Sequence, residues 1–199
     1  MSPVSTERFV FEPAPLAGVW RVQCRARHDS RGFFARGYCA EEFRAVGLVQ
    51  PIAQINHSRT AEAGTVRGLH FQHAPAAETK IVRCTAGRIF DVAVDLRRGS
   101  PTFLRWYGAE LSADGGASLL IPPGFGHGFQ ALEPAAEVLY LVTAAYRPEH
   151  EDGLHPLDPA LAIGWPLPPC GLSERDAARP FVDTASYPGV RLQAVEAAP

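Results

Sequence analysis

Residues 81–96, IVRCTAGRIFDVAVDL, decide the fold. Two runs dense in β-branched and aromatic residues flank Ala86-Gly87, and such side chains suit a pleated, half-buried surface. The Ala-Gly pair between them predicts a turn, so residues 81–85 and 88–96 are expected to pair as a β-hairpin. Working outward, residues 106–111, 118–121, 128–132 and 137–143 read as further short strands, each bounded by Gly, Pro or Asp. Many short strands with turn signals between them predict an all-β sandwich or barrel.

Helical periodicity is poor, so helices are expected only as short peripheral pieces. Residues 40–46 predict one, and residues 173–178 predict another with Ser173 as its cap. After Pro148 the chain turns Pro-rich, and LHPLDPALAIGWPLPP is expected to wrap over the sheets, because proline cannot donate to a ladder. Residues 193–199 read as a frayed tail.

A length of 199 residues with 46% hydrophobic and 20% charged content predicts a single domain spanning residues 1–199. The net charge of −2, with basic and acidic residues interspersed, gives no footprint for nucleic acid or an anionic membrane. No run reaches the ~20 apolar residues of a membrane span, and the N-terminus has no basic-then-apolar leader, so the cytoplasm is the expected compartment. Cys24, Cys39, Cys84 and Cys170 form no C-x-x-C pair and are read as reduced thiols.

Chemistry concentrates between Gln54 and Lys80. Eighteen of the nineteen basic residues are arginine, and Lys80 is the single lysine. A compact ammonium on a flexible stem donates in directions that a planar guanidinium cannot. Alternation along a strand puts Gln54, Asn56 and Ser58 on one face, pairs His70 with Gln72, and pairs Tyr140 with Val142. A row of amides and a hydroxyl suits either a polar binding pocket or the solvent face of a sandwich.

Six motifs occur in order: DSRGFF at 29–34, QINHS at 54–58, VRGLHFQ at 66–72 with a lysine ten residues after its histidine, FDVAVDLRRGSPTF at 90–103, IPPGFGHGF at 121–129 and LSERD at 172–176. Over roughly residues 29–180 the chain resembles the dTDP-4-dehydrorhamnose 3,5-epimerase family, whose members are cupin-like jelly-roll homodimers. The resemblance implies a nucleotide-diphosphate-linked 4-keto-6-deoxy-hexose as substrate, epimerised at C3, C5 or both without any cofactor or metal. It also implies that His70 is the base, Asp176 its orienting partner, Lys80 the stabiliser of the enolate oxygen and Tyr140 the opposite-face acid. Arg67 and His127 are implied near the sugar and diphosphate, and Gln54, Asn56 and Ser58 along the pocket. Tyr146 is implied near the hexose. Arg31 and Phe34 match positions that reach the nucleobase, commonly across the dimer interface.

The chain departs from the family pattern at four places. Ala35-Arg36 stands where an unspecified residue and a glutamate are common, and Arg36 is expected to favour bases with acceptor edges over thymine. Leu141 and Arg175 replace frequent lysines, and Pro156 replaces a frequent tryptophan. Two rival readings are a metal-dependent cupin enzyme and a catalytically silent sugar-nucleotide-binding subunit. PPGFGH carries the P-x-G-x-x-H spacing of metal cupins, but His70 and His73, three apart, are expected to point to opposite sides of a strand.

Overall fold

The computed structural model describes residues 2–192, so the tail expected at 193–199 lies outside the described residues. Strands β1 (Val4–Ser5), β2 (Phe9–Pro13) and β3 (Trp20–Cys24) lead into a small separate ribbon of β4 (Arg27–Asp29) and β5 (Gly32–Phe34). Helix α1 (Ala40–Phe43) runs into a 3-10 turn at Arg44–Val46, as the sequence at 40–46 leads one to expect. The main strands follow: β6 (Gln54–Thr60), β7 (Val66–Gln72), β8 (Lys80–Ala86), β9 (Arg88–Asp95), β10 (Trp106–Ser112), β11 (Ala117–Ile121), β12 (Phe125–Ala131) and β13 (Ala136–Val142). Short β14 (Glu151–Gly153) and helix α2 (Glu174–Ala177) complete the set.

These strands form two antiparallel sheets, ordered β1-β2-β3-β11-β8-β13-β6 and β10-β9-β12-β7-β14. This is the two-sheet sandwich that short strands and turn signals predict, with the jelly-roll form that the family resemblance implies. The hairpin expected at residues 81–96 does not form. β8 pairs with β11 and β13 in one sheet, whereas β9 pairs with β10 and β12 in the other. Gly87, at φ +67°, turns the corner between the sheets. The reason is burial: β9 is buried at nearly every position, so it needs strands on both flanks and a layer on each face.

Alternation splits the apolar side chains into three layers. Val82, Cys84, Ile89, Leu119, Phe125 and Val138 meet between the sheets. Phe9, Phe11, Trp20 and Ile81 face outward from the larger sheet and are covered by Phe43 of α1. Leu69, Phe71, Val92 and Val94 on the outer face of the smaller sheet are covered by Leu154, Leu161, Val182 and Val190. The Pro-rich segment therefore wraps the sandwich as expected, touching the β7 backbone at its two ends, where Leu154 exchanges hydrogen bonds with Leu69 and Cys170 bridges to Thr65. Just ahead of it, β14 takes the open edge beside β7.

The chain itself covers the outer face of the smaller sheet and the β2–β3 side of the larger one, leaving Ile55 of β6 exposed, and toward one end of the sandwich the inner face turns polar. The inward series Gln54-Asn56-Ser58, His70-Gln72, Lys80, His127 and Tyr140 is the continuation of the same alternation that makes the core.

Candidate active site

Two adjoining hollows, of about 400 Å³ and about 460 Å³, lie between the sheets and share His70, Lys80, Tyr140 and Arg175 in their walls. The first extends past Gln54, Asn56, Gln72, Glu78, Tyr146 and Glu151. The second extends past Ser58, Arg67, His127, Phe129, Ser173 and Asp176. The polar row on β6 therefore faces a pocket, not solvent. His70 is carried by the smaller sheet, while Lys80 and Tyr140 are carried by the larger one, so the histidine and the tyrosine stand on facing walls.

His70 is held from two directions. Its Nε2 hydrogen-bonds to Asp176 Oδ1 at 2.6 Å, which leaves Nδ1 as the free ring nitrogen. Asp176 is 4% exposed and sits in the first turn of α2, where its own N–H donates to Ser173 Oγ at 3.0 Å. Burial pushes the Asp176 carboxyl up, but His70, the Gly68 N–H and Ser173 outweigh it and hold the group below its ordinary 3.8. Asp176 is therefore a carboxylate at neutral pH and accepts from the imidazole. The glycine before Leu69 and His70 is dictated by space. Gly68 has φ +125°, and a Cβ there would lie 2.7 Å from the His127 carbonyl oxygen, where β7 and β12 approach closely.

Lys80 opens β8, where its Nζ donates to the His70 carbonyl oxygen at 3.1 Å and lies 3.3 Å from Glu78 Oε1. Tyr140 lies between Val82 of β8 and Asn56 of β6. Burial raises its phenol above the ordinary 10.0, with Arg67 pulling the other way, so the hydroxyl keeps its proton and can donate it. His127 stands directly opposite His70 across the β12–β7 pairing and hydrogen-bonds through Nε2 to Asp91 Oδ1 at 2.7 Å. Arg67 is braced by Thr60 Oγ1 at 3.0 Å and by the Arg59 carbonyl oxygen at 3.2 Å. At the far wall the Tyr146 hydroxyl donates to Glu151 at 2.9 Å, and its backbone N–H donates to Gln54 Oε1.

The structure thus gathers His70, Lys80, Tyr140, Asp176, Gln54, Asn56, Ser58, Arg67, His127 and Tyr146 around the two hollows. It does not bring Arg31, Phe34 or Arg36 there. Arg31 pairs with Asp29 at 2.6 Å on the exposed ribbon, and Phe33 and Phe34 are each 63% exposed. Arg36 lies 4.0 Å from Glu42. His73 turns away from the hollows toward Asp152 at 3.1 Å, and among the described residues no three His, Cys, Asp or Glu side chains are placed to hold a metal ion.

Four further wall or supporting residues escape a reading of the sequence. Asp91 is inward by the period of two, but its neighbours in the strand read as hydrophobic. Its Oδ2 is buried with no partner among the described residues. Glu78 sits beside Lys80 in a stretch without clear periodicity. Glu151 and Arg175 form an ion pair across the mouth, and no local pattern announces that contact between distant segments.

Residues 13–184 match the family model described as dTDP-4-dehydrorhamnose 3,5-epimerase. A dTDP-4-dehydrorhamnose 3,5-epimerase from Sinorhizobium fredii is 44% identical over 185 residues, covering 90% of this chain and 93% of the relative. A dTDP-4-dehydrorhamnose 3-epimerase from Streptomyces niveus is 42% identical over 82% of this chain and 79% of its own length. The crystal structure of a dTDP-6-deoxy-D-glucose-3,5-epimerase from Legionella pneumophila, in complex with dTDP-4-keto-L-rhamnose, matches with a TM-score of 0.85 at 38% identity, covering 92% of this chain and 98% of that one. With its jelly-roll sandwich and these likenesses over most of its length, the chain belongs to the dTDP-4-dehydrorhamnose 3,5-epimerase family of isomerases.

Proposed function

We propose that the protein epimerises a dTDP-linked 4-keto-6-deoxy-hexose at C3, C5 or both, in the cytoplasm and in the service of deoxysugar synthesis. The C4 ketone acidifies its neighbouring C–H bonds. His70 Nδ1 takes that proton and becomes imidazolium, stabilised by the Asp176 carboxylate, while the C–H electron pair passes to the ketone oxygen as an enolate. Lys80 donates a hydrogen bond to the enolate oxygen. Tyr140 returns a proton to the same carbon from the other face, the enolate collapses to the ketone, and the centre is inverted.

One observation carries this reading: His70 and Tyr140 stand on opposite walls of one cavity, with Lys80 within reach of both walls. A base and an acid on the same wall would return the original configuration. Arg67 and His127 suit the diphosphate by charge and hydrogen-bonding capacity, with Gln54, Asn56, Ser58 and Tyr146 toward the sugar. The exposed β4–β5 ribbon carrying Arg31 and Phe34 lines neither hollow of its own chain, which supports a homodimer in which each copy completes the other's pocket at the nucleobase.

Incubation of dTDP-4-keto-6-deoxy-glucose with the protein in D2O, read by mass spectrometry and proton NMR, tests the activity. Exchange at two carbons marks a 3,5-epimerase, exchange at one marks a mono-epimerase, and no exchange overturns the reading.

A further inference from the structure

We propose that Glu78 is a positioning residue for Lys80, and that this site demands a carboxylate rather than an amide. The inference rests on Lys80 stabilising the enolate. Glu78 is buried beside the start of β8 and lines the hollow shared by His70, Lys80 and Tyr140. Its Oε1 lies 3.3 Å from Lys80 Nζ, and its Oε2 accepts from Gln72 Nε2 at 2.7 Å. Gln72 cannot turn its amide over. Its Oε1 accepts from the Arg147 N–H at 2.7 Å, while the second N–H of its Nε2 goes to the Ala76 carbonyl oxygen at 3.0 Å. Glu78 therefore faces the Lys80 ammonium with one oxygen and accepts from a fixed Gln72 donor with the other. A glutamine has one acceptor, so either orientation would set its NH2 against the Lys80 ammonium or against the Gln72 NH2.

The consequence for Lys80 follows from counting donors. An ammonium has three N–H bonds. One goes to the His70 carbonyl oxygen, while the Glu78 carboxylate holds the ammonium from a second side by charge at 3.3 Å, which leaves N–H capacity for the cavity. Two anchors on different elements fix an otherwise flexible side chain, 11% exposed, in a single pose before substrate arrives. Electrostatics alone pulls the other way: the Glu78 charge opposes a developing enolate, so a neutral residue there would speed the reaction if charge were all that mattered. Aiming and charge thus predict opposite signs for one substitution.

The experiment compares wild type, Glu78→Gln, Lys80→Met and the double variant by kcat, KM, solvent deuterium exchange and affinity for dTDP. Glu78→Gln is expected to lower kcat and exchange together by about a hundredfold, with KM and dTDP affinity held within about threefold. In the Lys80→Met background the same change is expected to alter residual exchange by less than about threefold, since Glu78 acts through Lys80. A kcat at or above wild type in Glu78→Gln, an equal loss in the Lys80→Met background, or loss of dTDP binding would each overturn the inference. A fully active Lys80→Met overturns the reading of Lys80 and the inference with it, whereas an inactive Lys80→Met beside an active Glu78→Gln overturns the inference alone.

Discussion

Replacing Asp176 by asparagine isolates the carboxylate's work on His70. The substitution keeps size and shape at a site that is 4% exposed, so the question is which way the amide turns. Two donors compete for its single oxygen: His70 Nε2 at 2.6 Å and the Gly68 N–H at 3.4 Å. The shorter bond wins, and the amide NH2 faces the Gly68 N–H, whose existing bond is already long. The imidazole then keeps its proton on Nε2 and its lone pair on Nδ1, but the imidazolium formed after proton abstraction loses its charged partner. A hydrogen bond to a charged group is worth about 1.5–3 kcal/mol, and at about 1.4 kcal/mol per decade this gives a fall of about 10- to 150-fold. Stopped-time proton NMR in D2O measures exchange and inversion separately, and both are expected to fall by the same factor because both need the enolate. Exchange within about twofold of wild type would refute this account of the dyad. A fall near 10⁴-fold would instead mean that the amide donates to His70 and reverses its tautomer.

Three other outcomes follow from the structure. Asp95 is fully buried and accepts from Arg97, Ser100 and Thr102; burial raises its carboxyl, but these partners hold it below 3.8. Because the folded state then binds fewer protons than the unfolded one near that pH, its contribution is complete above 3.8 and is lost as pH falls through the lower folded-state value. Asp95→Asn is expected to cost about 3 kcal/mol at pH 7 in urea unfolding, with the gap to wild type closing below pH 3.8; a gap independent of pH would contradict this. For the nucleotide, the proposed dTDP substrate is expected to exceed its CDP and GDP counterparts in kcat/KM by more than about tenfold; equal or faster turnover of the GDP form would contradict this and support Arg36 as a nucleobase contact. Sedimentation at micromolar concentration is expected to give a dimer, with Phe34→Ser weakening both association and activity; a fully active monomer would exclude a shared pocket.

The strands and the inward face were legible in the sequence because both obey a period of two. Gln54, Asn56 and Ser58 stand together in the pocket, as do His70 and Gln72, for the same reason that Val82 and Cys84 stand together in the core. Sheet membership was not legible. Local pattern reports that residues 81–85 and 88–96 are strands separated by a tight turn, and a hairpin and a corner between two sheets share that pattern. Only the burial of both faces of β9 separates them, and that depends on strands far away in the chain. The same limit hid the contact of Glu151 with Arg175, which joins the short edge strand β14 to helix α2. The Asp176 contact with His70 spans 106 residues and was reachable only through the family likeness.

The central claim is that base and acid act from opposite walls of one cavity. The most direct test is the ratio of inversion to exchange in wild type, His70→Ala and Tyr140→Phe, measured on the 4-keto sugar in D2O with dTDP binding as the control for folding. The account predicts that His70→Ala abolishes both, and that Tyr140→Phe keeps exchange while inverted product falls sharply, so that the ratio drops. Exchange persisting in His70→Ala, or an unchanged ratio in Tyr140→Phe, would contradict it.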